Sequence, residues 1–224
     1  MQVLERRRGL TLIELLVVLA IVGILAAVLM PPRKGTWRNA RRAACQSSLK
    51  QMGLALVQYA LVQYAMDEGE RWPPSAASAV SSSVPPFSTP YGWADAITPY
   101  VRTPHLFQCP AEAAPAPGAD AVRAGFTDYW MNHNLSRAPR KSVTNPARTI
   151  PCGDGNDGRD GTDARYSRNV LPQHWLDDEN SPANRHLGQM NILYADGHVK
   201  SLKAARVMTR APRDGEATFA LKWR

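Results

Sequence analysis

Most of the marks of an enzyme are missing from this chain. It has no G-x-S-x-G nucleophile turn. Its five histidines include no H-x3-H pair, and no C-x2-C stands near them, so no spacing supports zinc at His133, His174, His186 or His198. Three cysteines allow one disulfide and a leftover thiol. Acidic residues are fewer than basic ones, 19 against 27, for a net charge of +8. That surplus is mild, is spread along the chain and has no nucleic-acid motif beside it. No specific nucleic-acid partner is therefore expected. Among these signs the expectation is a protein that is not an enzyme.

Long apolar runs are also missing, with one exception. Leu10 to Met30 is an apolar run interrupted by only one charge, Glu14. Its 21 residues reach about 31 Å as a helix, the thickness of a bilayer core. The run is too long for the apolar region of an ordinary signal peptide, and Pro31-Pro32 follows it instead of a small-residue cleavage site. A carboxylate inside such a span costs about 2.5–3.5 kcal/mol on the lenient insertion scale, so Glu14 needs a partner or a purpose. Arg6, Arg7 and Arg8 argue for a cytoplasmic amino end. Arg33, Lys34, Arg38, Arg41 and Arg42 argue the other way, so charge alone leaves the orientation open.

The pattern Arg-Arg-Arg-Gly9, Leu10, Thr11-Leu12-Ile13-Glu14 and its apolar helix resembles the leader of type IV prepilins and type II secretion pseudopilins. Leu10 stands where that family usually has Phe. The resemblance implies cleavage after Gly9 by a prepilin peptidase, which also methylates the new amino terminus at Leu10. It implies that Glu14, as the fifth mature residue, meets the amino terminus of a neighbouring pilin-like subunit during assembly on an inner-membrane platform. It implies a single-pass inner-membrane protein whose remaining domain is exported.

The expected organisation is a leader (1–9), a transmembrane half-helix (10–30), an amphipathic half-helix (31–68) and an exported globular domain (69–224). From Trp37 to Met66 the residues Cys45, Leu49, Met52, Leu56 and Tyr59 recur at helical spacing, a stripe suited to covering a sheet. Leu56-Val-Gln-Tyr-Ala60 then repeats as residues 61–65. Five residues turn a helix by about 500°, so the second copy points about 140° away from the first. Either a second face is buried or a bulge absorbs the repeat. Asp67–Pro90 reads as linker or surface loop. A short helix is expected within 91–101, and Leu106–Pro110 reads as a short strand or turn. Strands are expected at 127–132, 147–152, 190–195, 198–203 and 217–222. A long helix followed by small strands argues for α+β: a long N-terminal membrane-spanning helix packed on a small antiparallel sheet, the lollipop of pilin-like proteins.

Cys109 and Cys152 both fall in the globular part and are expected to pair, constraining the unfolded chain by about 4 kcal/mol. Cys45, on the apolar stripe, is then expected as a buried free thiol. Asp196-Gly197 between two β-prone runs predicts a two-residue hairpin turn. His186, Asp196 and Gly197 form a His-x9-Asp-Gly spacing that resembles the C-terminal signature of a large group of prepilin-like proteins. Leu49–Leu56, Cys109-Pro110, Asn145-Pro146-Ala147 and Gly153-Asp154 agree with that group. A His–Asp pair can polarise an imidazole. The plainer reading is that Asp196 makes the turn while His186 packs beside the hairpin.

The segment Gly153–Asp163 is a candidate calcium loop. Asp154, Asp157, Asp160 and Asp163 recur every third residue, with Asn156 among them, on a glycine-rich backbone that offers the oxygens calcium needs. The spacing departs from the EF-hand pattern at Gly158. The alternative is a solvated run of Asp-Gly turns. Taken together, these features predict a filament subunit, or alternatively a membrane-anchored exported binding protein that uses the leader only for delivery.

Overall fold

The computed structural model describes residues 11–29, 33–66, 69–76, 92–112, 121–156, 162–209 and 217–222. Gly9, Leu10, Asp157, Asp160 and most of the expected 67–90 loop lie outside them. The chain divides into two units, Met1–Trp37 and Arg38–Arg224.

In the first unit, helix α1 (Leu12–Leu29) is opened by a reciprocal cap. Thr11 Oγ1 accepts from the Glu14 amide at 3.3 Å, and Glu14 Oε2 accepts from the Thr11 amide and hydroxyl, each at 2.8 Å. This is the Thr-x-x-Glu capping box, which satisfies orphan donors of the first turn. Among the described residues no helix is long and apolar enough to cross a membrane. The 18 residues of α1 give about 27 Å, short of a core of about 30 Å. The expected span of residues 10–30 includes two that are not described. Leu12, Ile13, Leu16, Leu19 and Ile24 all stand more than half exposed on the isolated chain.

Helix α2 (Arg33–Ala65) carries the second unit's longest element. Its buried stripe is the expected one: Cys45, Leu49, Met52 and Leu56 are almost fully excluded from solvent. The pentapeptide repeat causes no break. The helix runs on, and the second copy turns outward, with Leu61 53% and Tyr64 64% exposed against 1% for Leu56. Of the two outcomes the repeat allowed, neither the bulge nor a second buried face is realised.

Five strands form the main sheet in the order β3-β1-β2-β4-β5: β1 (Tyr129–Asn132), β2 (Cys152–Asp154), β3 (Ser167–Arg168), β4 (Met190–Leu193) and β5 (Val199–Leu202). The expectation of a purely antiparallel sheet is corrected. β3 runs parallel to β1, and a small second sheet pairs β6 (Val207–Met208) parallel to β7 (Ala217–Thr218). Both parallel elements are two residues long, too short to carry an alternation that sequence could show. The short helix α3 (Trp93–Ile97) falls where expected, and of the strand or turn expected at Leu106–Pro110 the turn is realised, opening with a 3-10 helix at Pro104–Phe107.

Alternation along the strands splits the core in two. Tyr129, Met131, Cys152 and Leu193 join the layer beneath α2. Trp130, Met190, Ile192 and Phe219 build the opposite layer, with Trp175 and Tyr166. Gly153 sits between these faces because nothing larger fits: a Cβ there would lie 2.2 Å from Trp130 Cζ2.

The β4–β5 hairpin forms, but with a three-residue loop. Tyr194 accepts from the Gly197 amide at 2.8 Å and donates to His198 O at 2.9 Å. The loop is therefore Ala195-Asp196-Gly197, with Gly197 at φ 90°. That is the type I turn closed by a left-handed residue, so Asp196 sits before the one position that requires positive φ.

Candidate functional site

The sheet register places a row of polar side chains on the face below α2. Cys152 opposes Leu193 and Gly153 opposes Ile192, which brings Asp154 beside Asn191 one step further; Asn191 in turn opposes Ser201. Polar residues here need partners, since burying an unpaired polar group costs about 1–3 kcal/mol.

Each partner is found within the row. Asp154 Oδ1 accepts from the Asn191 amide at 2.8 Å, and Oδ2 accepts from Asn191 Nδ2 at 3.0 Å. Asn191 Oδ1 accepts from Ser201 Oγ at 2.6 Å, and Ser201 Oγ accepts from Gln46 Nε2 of α2 at 2.9 Å. The third donor to Asp154 is His186, whose Nε2 lies 2.6 Å from Oδ2; both side chains are 1% exposed. The same Nε2 is 3.4 Å from Cys109 Sγ. Cys109 is disulfide-bonded to Cys45, with Cα atoms 5.3 Å apart. Cys45 precedes Gln46, so the chain of contacts closes on α2 where it began.

This arrangement corrects the expected disulfide. The bond joins Cys45 to Cys109, and Cys152 remains a buried free thiol. The stripe that buries Cys45 also delivers its sulfur to the turn after Phe107, while Cys152 is fixed in the β ladder opposite Met131 and Leu193. Burial pushes the Cys152 thiol far above its ordinary pKa.

A second polar group surrounds the first. Asp128 Oδ2 accepts from the Cys109 amide at 2.9 Å, and Oδ1 accepts from Asn156 Nδ2 at 3.3 Å. Arg185 donates to the Asn156 carbonyl at 2.7 Å and pairs with Glu112. Burial raises the Asp128 carboxyl above its ordinary value, against the opposing Cys109 amide, Asn156 and Arg185.

His186 is held on a bent segment. Its amide donates to Gln189 O at 3.0 Å, and Gly188 donates back to Asn184 at 2.9 Å. Leu187, between them, has φ 60°, a conformation that costs a side-chain-bearing residue about 1–2 kcal/mol. A groove of about 800 Å³ opens beside this segment, bordered by Arg38, Glu179, Asn184, Arg185 and Lys203.

The other expected site residues separate. His186 does not meet Asp196. Asp196 Oδ1 instead accepts from the His198 amide at 3.1 Å and lies 2.6 Å from His198 Nδ1. The hairpin turn is tied to α2 by Lys50 Nζ, which donates to Gly197 O at 2.7 Å. The two ends of the expected calcium loop also face different ways. Asp154 points to His186 and Asn191, while Asp163 Oδ2 is gripped by Arg165 Nε and Nη2 at 3.1 and 2.7 Å. Asn156 turns its amide to Asp128. Asp157 and Asp160 lie outside the described residues. The described carboxylates thus have protein donors in the place of a shared cation.

Gln46, Asp128, Asn191 and Ser201 were not anticipated. The available signal was a polar residue inside an otherwise apolar strand, Met190-Asn-Ile-Leu193, at the position alternation assigns to the helix-facing layer.

Comparison with known families supplies the class. The description "Prokaryotic N-terminal methylation motif" matches residues 5–30, which makes this a prepilin-like protein. A second description, "Protein of unknown function (DUF1559)", matches residues 37–166, more than half the chain. The chain belongs to that family. His186, Asp196 and Gly197 lie outside both matches. No curated protein and no solved structure matches the chain.

Proposed function

We propose that this chain is a structural, non-catalytic subunit, cut after Gly9, methylated at Leu10, and assembled into or alongside a type IV pilus or type II secretion filament. The observation that carries the reading is the methylation motif over residues 5–30. It is supported by a helix that exposes apolar side chains on all sides. A helix apolar all round is at rest in lipid or among like helices, not in water. Residues 10–30 then anchor the precursor in the inner membrane and leave the second unit exported. The partners are the prepilin peptidase, neighbouring pilin-like subunits and the inner-membrane platform.

Glu14 gains a second role in this reading. Its carboxylate caps its own helix through Thr11, and the charged amino terminus of a neighbouring Leu10 offsets it in the assembled state. Glu14→Gln keeps an acceptor for the cap and removes the charge. Membrane insertion of that variant is expected to be normal, and recovery in sheared filaments is expected to fall. Wild-type protein confined to membranes under conditions where filaments are recovered favours the delivery-only alternative, an anchored binding protein.

A further inference from the structure

The disulfide Cys45–Cys109 sits against two good metal donors that the proposed assembly role leaves unused. Cys45 Sγ, Cys109 Sγ and His186 Nε2 lie within 4.8 Å of one another, and all three residues are buried. Asp154 Oδ2 is 2.6 Å from the same imidazole nitrogen. We propose that, when Cys45 and Cys109 are reduced, these four side chains bind one Zn2+, and that forming the disulfide expels it.

The geometry requires two small openings and an inward turn of the Asp154 carboxylate, which stands outside the group of Cys45, Cys109 and His186 that lies within 4.8 Å. With Zn–S near 2.3 Å and Zn–N near 2.05 Å, tetrahedral ligands place S and N about 3.5 Å apart. Cys109 Sγ and His186 Nε2 are already 3.4 Å apart. The sulfurs must part to about 3.8 Å and Nε2 and Oδ2 to about 3.4 Å. The first follows from breaking the S–S bond across Cα atoms 5.3 Å apart. The second follows from moving the imidazole proton to Nδ1, which replaces the Nε2–H···Asp154 bond by two bonds to the metal.

An outer shell is in place. Asn191 donates to both oxygens of Asp154, and Asp128 holds the Cys109 amide. Such partners fix ligand orientation and strengthen binding. Two sulfurs, one nitrogen and one oxygen suit zinc; calcium and magnesium prefer sets of six or more oxygens. Linear spacing does not reveal the site because its donors come from α2, the turn after Phe107, β2 and the loop before β4.

The chemistry balances. Zn2+ entry releases the two thiol protons. A disulfide oxidant then accepts two electrons and leaves as two thiolates, while the Cys45–Cys109 bond forms and Zn2+ departs. Metal and disulfide are thus alternative fastenings of α2 to the turn after Phe107.

The test uses the full chain in detergent, reduced with a phosphine and titrated anaerobically with Co2+. One Co2+ per chain is expected, with thiolate-to-cobalt charge-transfer and tetrahedral d–d bands, and Zn2+ should bleach them. The oxidised chain should show none. Oxidised glutathione should release one Zn2+ per chain to a chromogenic chelator. Cys152→Ser should retain the bands, while Asn191→Ala, which leaves all four donors, should weaken zinc binding about 10–100-fold. The proposal is overturned if the reduced chain shows no bands while its near-UV circular dichroism is native. It is equally overturned if that signal is lost and zinc does not restore it, or if a Cys45→Ser/Cys109→Ser variant keeps the bands.

Discussion

Reducing the Cys45–Cys109 bond removes no atom from the core, so its effect on stability isolates the cross-link. The bond spans a sequence separation of 64. In the chain-entropy model, closing a loop of that size lowers the unfolded ensemble's freedom by about 4 kcal/mol at 25 °C. For a domain of this size about 1 kcal/mol shifts Tm by roughly 2–4 °C, so the reduced protein should melt roughly 8–16 °C lower. The assay is calorimetry of full-length protein in detergent, oxidised against unfolded and refolded under a phosphine. A chelator present throughout keeps metal from replacing the bond. Peptide mapping without reductant should recover Cys45 linked to Cys109, and Cys152 should react with alkylating reagent only after unfolding. Melting curves that coincide within 2 °C (about 1 kcal/mol), or a Cys109–Cys152 peptide, would refute the reasoning.

Three further outcomes follow from the packing and the polar network. Gly153→Ala drives a methyl into Trp130, which is fully buried and stacked on Phe219 with centroids 5.1 Å apart. It should lower stability by about 1–3 kcal/mol or more, visible as a lower urea midpoint at unchanged slope; an unchanged midpoint contradicts the close approach. Asp128 has a folded pKa raised above the ordinary 3.8. Its contribution to stability is therefore greatest below that value and declines as pH rises through the folded pKa. Asp128→Asn, which retains an acceptor for the Cys109 amide, should gain on wild type as pH rises from about 3.8 towards neutrality, and parallel stability curves would count against it. Thr11→Val removes the hydroxyl from the α1 capping box and should cost about 0.5–2 kcal/mol of helix stability. Amide exchange should show faster opening of the first turn, and unchanged exchange would remove the cap.

The elements that sequence made legible are those with a long period or a forced turn. Cys45, Leu49, Met52 and Leu56 declared their face of α2 because about three turns repeat the same signal, and Asp196-Gly197 declared a hairpin because few residues accept positive φ. The parallel pairings of β3 and β6 were invisible, since two residues carry no alternation. The disulfide partner is not legible in the sequence because the apolar stripe alone makes Cys45 a core thiol. A stripe that buries a sulfur also presents it to whatever packs there, and that proved to be the segment of Cys109. The Asp-Gly string suggested one cation site; of its carboxylates, Asp154 in β2 accepts from Asn191 and Asp163 in the turn before β3 accepts from Arg165. His186 and Asp196 drew attention through their spacing, but each found another partner, Asp154 and His198. The N-terminal methylation motif was readable because it is a linear pattern that needs no fold to be seen.

The central claim, that this is a processed prepilin-like subunit, is tested most directly by the amino terminus of the mature protein. Intact-mass and N-terminal peptide spectrometry of the membrane fraction should find a chain beginning at N-methylated Leu10, and a Gly9→Val precursor that retains residues 1–9. A wild-type chain that keeps Met1, or begins anywhere other than Leu10, would contradict the account.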